Sequence, residues 1–366
     1  MTITGIAIYR YSIPMVPFTI ATGTMDYAQN VFIRVCTDEN ITGVGECSAF
    51  PMIAGETQDT CMALAKNFAQ IWLHKNALDI DARLDELDAF IAANYTVKSA
   101  FDMALYDIAA KHAHKPLYAF LGGKYFEPQS DITIGIGEAG AMAQQAIDFV
   151  QQQDAAILKV KLGKNAAQDI QRIKRIREAV GNNIQIRIDA NQGWSFEDAL
   201  FALKGMEAFN IQFCEQPMRK WNDKYLPLLR SQTSIPIMAD ESVFTHHDAE
   251  RLIEQNACDS VNIKFSKAGG IRESLAIHKV CKQAGIPNMI GGMLESRLAL
   301  SAKVHFALAC DNVVFYDLDT CLLGHKTDPV INGAVYDKLK LKLPGLPGVG
   351  ADVDEAFLSN CEQFVF

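Results

Sequence analysis

Apolar residues recur along this chain in two textures. Residues 2–12 and 30–47 are rich in β-branched and apolar side chains, and the Asp38-Glu39-Asn40 cluster between Val35 and Val44 marks a hairpin. The opening segment therefore predicts a small antiparallel sheet. Helical periods follow over 57–74, 80–93 and 97–112, the last with Phe101, Leu105 and Ile108 on one face and Asp102 and Asp107 off it. Pro116 and Gly122-Gly123 then punctuate an α+β unit of about 125 residues.

From Asp131 onward short apolar strands alternate with longer helical segments. The strands expected are 132–136, 157–161, 184–189, 211–215, 235–240, 260–264, 287–290 and 313–317, with helices such as 166–180 and 196–208 between them. Eight strands joined by helices imply parallel crossovers and an α/β, TIM-like barrel. A doubly wound open sheet is the alternative, but polar residues close many successive strands, whereas an open sheet gathers its site at one switch point. The expected division is 1–125 and 126–339, with the tail from about 340 to 366 packing back on the first unit.

The chain of 366 residues is 49% hydrophobic and 21% charged, enough apolar material for a large core. Its net charge of -9, with no Lys/Arg cluster, argues against a nucleic-acid partner. Neither a signal peptide nor a membrane span is indicated, and the expected location is the cytoplasm. Nine cysteines without a Cys-x-x-Cys pair suit free thiols. Whether the chain forms a homo-oligomer is left open.

The strand ends change the picture. Ile157-Leu158-Lys159-Val160-Lys161 carries two lysines on one face by period-two geometry. Taken alone this is an edge strand with a solvated face, but the following strands end in Asp189 with Asn191, Glu215, Asp240 with Glu241, Lys264, and Asp317 with Asp319. In a barrel these converge. Three carboxylates from adjacent strands repel and call for a cation, and all-oxygen ligation suits Mg²⁺, which makes Asp189, Glu215 and Asp240 the candidate ligands. Lys161 and Lys264 then flank a metal-bound substrate carboxylate, so one removes an α-proton and the other returns it to the opposite face. A neighbouring ammonium, Lys159, and Mg²⁺ together are expected to lower the base toward a pKa of about 7 or 8, and Lys159 to stabilise a developing enediolate. Lys267 is read as an ordinary lysine at a helix start.

These elements, Lys159-Val160-Lys161, Asp189-Ala190-Asn191, Glu215-Gln216-Pro217, Asp240-Glu241-Ser242 and Asn262-Ile263-Lys264, resemble in type and order the muconate-lactonizing-enzyme subgroup of the enolase superfamily. The stretch Ser99-Ala100-Phe101-Asp102-Met103-Ala104-Leu105-Tyr106-Asp107 resembles the same family's capping-domain signature. The resemblance implies an N-terminal α+β capping domain over a (β/α)7β barrel, Mg²⁺, and proton abstraction α to a carboxylate. It also implies two loops closing the barrel mouth, here about 16–27 and 49–56.

Asp317 and Asp319 share a face with no metal ligand left for them to join, and paired carboxylates suit an ammonium. The element resembles that of the dipeptide epimerases, in which it holds the N-terminal amine. Thr133, Asn191 and Glu295 match substrate-lining positions of relatives. No arginine lies in Pro17-Phe18-Thr19-Ile20-Ala21-Thr22-Gly23-Thr24, where the members acting on Ala-Glu carry one, so an apolar C-terminal residue such as that of Ala-Ala or Ala-Val is expected. An o-succinylbenzoate synthase, an N-acylamino-acid racemase, and a non-catalytic barrel that captures zwitterions are the competing readings.

Overall fold

The computed structural model describes residues 1–366. Three antiparallel strands open the chain, β1 (Ile3–Ile20), β2 (Gly23–Thr37) and β3 (Thr42–Ser48), and a C-terminal strand, Gln363–Val365, joins the sheet beside β1. Period two divides β1 between two cores. Ile6 and Ile8 pack with Val31 and Ile33 under the helices Gln58–Trp72 and Tyr95–His112, while Tyr9, Tyr11 and Ile13 face the barrel with Phe32. Phe101 meets Phe68 and Trp72 edge-on at 5.3 and 5.0 Å.

The first mouth segment differs from the expected loop. β1 and β2 continue through Pro14, Pro17 and Gly23 as one long hairpin, with a register shift between Pro14 and Phe18 absorbing the prolines. The second segment contains one helical turn, Pro51–Ala54. The helix Tyr95–His112 lies directly on β3. A Cβ on Gly43 or Gly45 would stand 2.2 Å from Ala104 O or 1.9 Å from Ala100 O, so only glycine permits this approach. Asp102 and Asp107, expected off the apolar face, are both buried, because this helix is covered on two sides.

The second texture forms an eight-stranded parallel sheet in sequential order. It comprises β4 (Ile132–Ile134), β5 (Ile157–Lys161), β6 (Gln185–Asp189), β7 (Ile211–Glu215), β8 (Ile237–Ala239), β9 (Ser260–Ile263), β10 (Asn288–Gly291) and β11 (Val313–Asp317). The ring closes between first and last strands through the Asp131 N–H, which donates to Tyr316 O at 3.1 Å. This is the expected barrel with its α+β partner. β8 and β9 stop one residue short of Asp240 and Lys264. The Asp240 N–H turns to the Gln216 side chain, at 2.9 Å, instead of a neighbouring strand. Phe213, Met238, Met289 and Phe315 form a separate apolar cluster inside the barrel. No helix is long and apolar enough to cross a membrane, and all nine cysteines are free.

Candidate active site

The polar residues gather at the carboxyl ends of the strands. Period two points Lys159 and Lys161 of β5 inward together, and both are buried. Lys159 Nζ lies 2.7 Å from Glu215 Oε2, 2.7 Å from Asp317 Oδ2 and 3.4 Å from Asp189 Oδ2. Lys161 Nζ is 2.6 Å from Asp189 Oδ2. On the far side of the acidic strands, Lys264 Nζ is 2.8 Å from Asp240 Oδ2 and 3.9 Å from Glu215 Oε1. Two amines thus bracket three carboxylates carried by β6, β7 and the end of β8.

Local turns hold this set. Asn191, Gln192 and Gln216 have positive φ, which bends the chain sharply after β6 and β7. The Asn191 N–H donates to Asp189 Oδ1 at 2.8 Å. Gln216 spans two strands, donating to Ser242 Oγ at 2.7 Å while accepting the Asp240 N–H. Asn262 Nδ2 donates to Glu215 Oε1 at 2.8 Å.

Burial and the neighbouring charges set the charge states of these groups. Burial opposes the charge on Lys159 and Lys264, but the carboxylates outweigh it: Asp317 and Glu215 hold Lys159, and Asp240 and Glu215 hold Lys264, well above the ordinary lysine range. Each faces more negative than positive neighbours, a balance that a bound Mg²⁺ would shift toward the neutral amine. Burial, reinforced by Asp189, pushes Glu215 up to about 7. Burial also works against Asp240, yet Lys264 and Lys267 hold it below the carboxylate range.

The donor set fits a hard cation. Glu215 Oε2 and Asp240 Oδ1 are buried oxygens without a well-aligned hydrogen bond, opposed only by lysine ammoniums, and Asn191 Oδ1 and Glu241 Oε2 are buried with no partner. Carboxylate and amide oxygens are the ligands Mg²⁺ takes. A tighter acidic group lies elsewhere, at the seam between β4 and β11, where oxygens of Asp131, Asp317 and Asp319 all fall within 4.8 Å of one another.

The remaining expected residues divide. Asp319 is buried and accepts the Thr133 N–H at 2.6 Å, which places both beside Asp317. Burial and Asp317 raise Asp319 to about 7, whereas Lys159 and Lys161 outweigh burial and hold Asp317 down to about 2. Glu295 is engaged otherwise: it accepts the Met293 N–H at 2.6 Å and pairs with buried Lys303, so its carboxylate braces the loop after β10. Asn191 stands beside Glu241, 3.5 Å away.

Sequence reasoning missed three members. Lys267 is buried and not a solvated helix-start lysine; its Nζ lies 2.6 Å from Asp240 Oδ1 and donates to Val243 O and Asn262 O at 3.0 Å. Arg187 and Asp131 form a buried pair at 2.7 Å beneath Lys159. Period two offered a signal for both, since Arg187 is two residues before Asp189 and Asp131 two before Thr133.

Comparison with known proteins agrees with this geometry. The family described as "Mandelate racemase / muconate lactonizing enzyme, N-terminal domain" matches residues 3–122, and "Enolase C-terminal domain-like" matches residues 141–357. A D-Ala-D/L-Ala epimerase of Cytophaga hutchinsonii is 42% identical, the match covering 99% of each chain. A dipeptide epimerase from Cytophaga hutchinsonii, solved with Mg and the dipeptide D-Ala-L-Val, superposes with a TM-score of 0.97 at 42% identity and full coverage of both chains. One from Enterococcus faecalis, solved with Mg and L-Leu-L-Tyr, superposes at 0.93 with 36% identity, covering 96% of this chain and all of that one. From capping sheet to barrel mouth, this chain belongs to the mandelate racemase and muconate lactonizing enzyme family of the enolase superfamily.

Proposed function

We propose that this chain is a dipeptide epimerase, an isomerase that inverts the α-carbon of the C-terminal residue of an apolar dipeptide by 1,1-proton transfer. The observation that carries this reading is the placement of Lys161 and Lys264. They lie on opposite flanks of one acidic set, each within 2.8 Å of a different carboxylate of that set. A racemising site needs two groups able to exchange a proton with opposite faces of one carbon, and two lysines from β5 and the end of β9 meet that need.

Asp189, Glu215 and Asp240 would hold Mg²⁺. When bound it would offset the charge of these carboxylates and stabilise negative charge on the substrate carboxylate. One lysine takes the α-proton and the other supplies a proton to the opposite face, with their roles exchanged for the other enantiomer. Lys159, between Glu215 and Asp317, donates toward the developing enediolate oxygen. Asp317 and Asp319 at the seam receive the dipeptide's free α-ammonium, with Thr133 fixing Asp319.

The C-terminal side chain is read by the capping hairpin, where Phe18, Ile20 and Met25 lie and no arginine stands to pair with an acid. An Ala-Val-like substrate loses little by entering; a glutamate would lose hydration without a partner. The D-Ala-L-Val and L-Leu-L-Tyr held by the two related structures agree with an apolar preference. The test is a panel of L,L-dipeptides in heavy water, read by mass spectrometry. Ala-Ala and Ala-Val should gain one deuterium at the C-terminal α-carbon, and faster than Ala-Glu. Faster turnover of Ala-Glu would end the specificity reading, and no exchange in any dipeptide would end the catalytic one.

A further inference from the structure

The seam between β4 and β11 carries three carboxylates where the sequence supplied two. Asp131, Asp317 and Asp319 are all buried, and their oxygens lie within 4.8 Å of one another. Each has one neighbour already: Arg187 Nη1 at 2.7 Å for Asp131 Oδ2, Lys159 Nζ at 2.7 Å for Asp317 Oδ2, and the Thr133 N–H at 2.6 Å for Asp319 Oδ2. Asp131 Oδ1 is left buried with no hydrogen-bond partner. Against three acidic side chains stand two fixed cations, Lys159 and Arg187, and Lys159 is shared with Glu215, so the seam is rich in acceptors.

Geometry says what those acceptors suit. A primary ammonium has three N–H donors, and acceptors about 2.8 Å from nitrogen along tetrahedral directions stand about 4.6 Å apart. A carboxylate triad no wider than 4.8 Å can therefore serve all three donors at once. Arg187 prepares the third arm. Its guanidinium lies 5.2 Å from the rings of both Phe213 and Phe315, and its Nε donates to Gln212 Oε1 at 2.8 Å. Held this way, it engages Asp131 Oδ2 and leaves Oδ1 free.

We infer that Asp131 is the third acceptor for the substrate's α-ammonium, completing a tripod with Asp317 and Asp319. This rests on the free-amine substrate proposed above and deepens it: the site is built for a primary ammonium, so N-methylation, which removes a donor, weakens binding.

The test compares kcat/KM for an apolar dipeptide with that for its N-acetylated counterpart. The wild-type protein should prefer the free amine. Asp131→Asn should lower that preference at least about tenfold, chiefly through KM. A loss of equal size on both substrates makes Asp131 merely structural and overturns the inference. So does a change in activation by Mg²⁺ alone with the preference intact, which would make the triad a metal site. Should Asp131→Asn not fold, the double replacement Asp131→Leu with Arg187→Met removes the buried pair as a unit, and the same ratio is read on it. Asp317→Asn separates the two readings. If it lowers the preference and Asp131→Asn does not, only the third acceptor fails; if the wild type has no preference, the free-amine substrate fails as well.

Discussion

The carboxylate of Asp102 accepts the backbone N–H of Ile271, 169 residues later in the chain, at 2.5 Å. It also accepts the Arg272 N–H at 3.1 Å, so a side chain of the helix Tyr95–His112 caps the barrel helix Ile271–Gln283. Glu46 of β3 does the same for the helix Arg297–Ala309, accepting the Ser296 N–H at 2.8 Å and the Ala299 N–H at 3.1 Å. First-domain carboxylates thus supply the side-chain cap that Ile271–Gln283 lacks at Gly270 and add to the cap that Ser296 gives Arg297–Ala309.

Burial pushes Asp102 up from its ordinary 3.8 to about 7, against the hydrogen bonds from Ile271 and Arg272. The folded protein therefore binds this proton more tightly than the unfolded chain. Its contribution favours the fold at low pH and declines as pH rises from about 4 to about 7, at up to about 1.4 kcal/mol per unit. Urea unfolding of wild type and Asp102→Asn across that range should show the wild type losing stability relative to the variant. Parallel curves would remove Asp102 from the pH dependence.

Replacing either Lys161 or Lys264 with alanine should slow epimerisation by about 10²–10⁴-fold. Each variant should retain α-proton exchange with only one enantiomer of the substrate's C-terminal residue. Nuclear magnetic resonance in heavy water reads this directly. Exchange from both enantiomers at the wild-type rate in both variants would show that neither amine handles the proton.

Lys267 pairs with Asp240 in a fully buried setting, and removing one partner leaves a charge without compensation. Lys267→Met should cost about 3–5 kcal/mol in stability. It should also shift the Mg²⁺ concentration needed for turnover, since Asp240 loses one of the two lysines that hold it ionised. A variant as stable as wild type, with unchanged Mg²⁺ dependence, would mean that the pair does not set the state of Asp240.

Gly45→Ala places a methyl carbon 1.9 Å from Ala100 O, so β3 and the helix Tyr95–His112 must part. The expected loss is about 3 kcal/mol or more, at or beyond the usual range for overpacking. Substitution at Gly140, whose φ is not positive and whose added Cβ would meet nothing nearer than Glu138 Oε2 at 3.8 Å, is the contrast. Equal melting temperatures for Gly45→Ala and wild type would show that the sheet and helix separate freely.

Particular residues show how far a linear reading reaches. β5, β7 and β11 begin and end where alternation and strand punctuation place them, because a buried parallel strand is a short apolar run bounded by polar residues. Lys159, Lys161 and Asp189 could be given a common direction for the same reason. Lys267 could not. In sequence it is one of many lysines near a helix start, and only the fold brings Asp240, Val243 and Asn262 around its ammonium. Glu295 matches a substrate-lining position of relatives, and only the fold shows that Lys303 of the following helix pairs with its carboxylate.

By itself the sequence determined which residues share a face and which segments repeat as strand and helix, because those properties follow from periods of two and 3.6 along a single element. It also set the order in which acids and amines arrive around a parallel ring, since consecutive strands are neighbours. Only the tertiary structure decided which charges meet. Asp131 reaches Asp319 across the closing seam, and Asp102 reaches Ile271 across the domain contact. Partners so far apart in the chain are selected by packing, and once buried, each charge takes the protonation state that its neighbours impose.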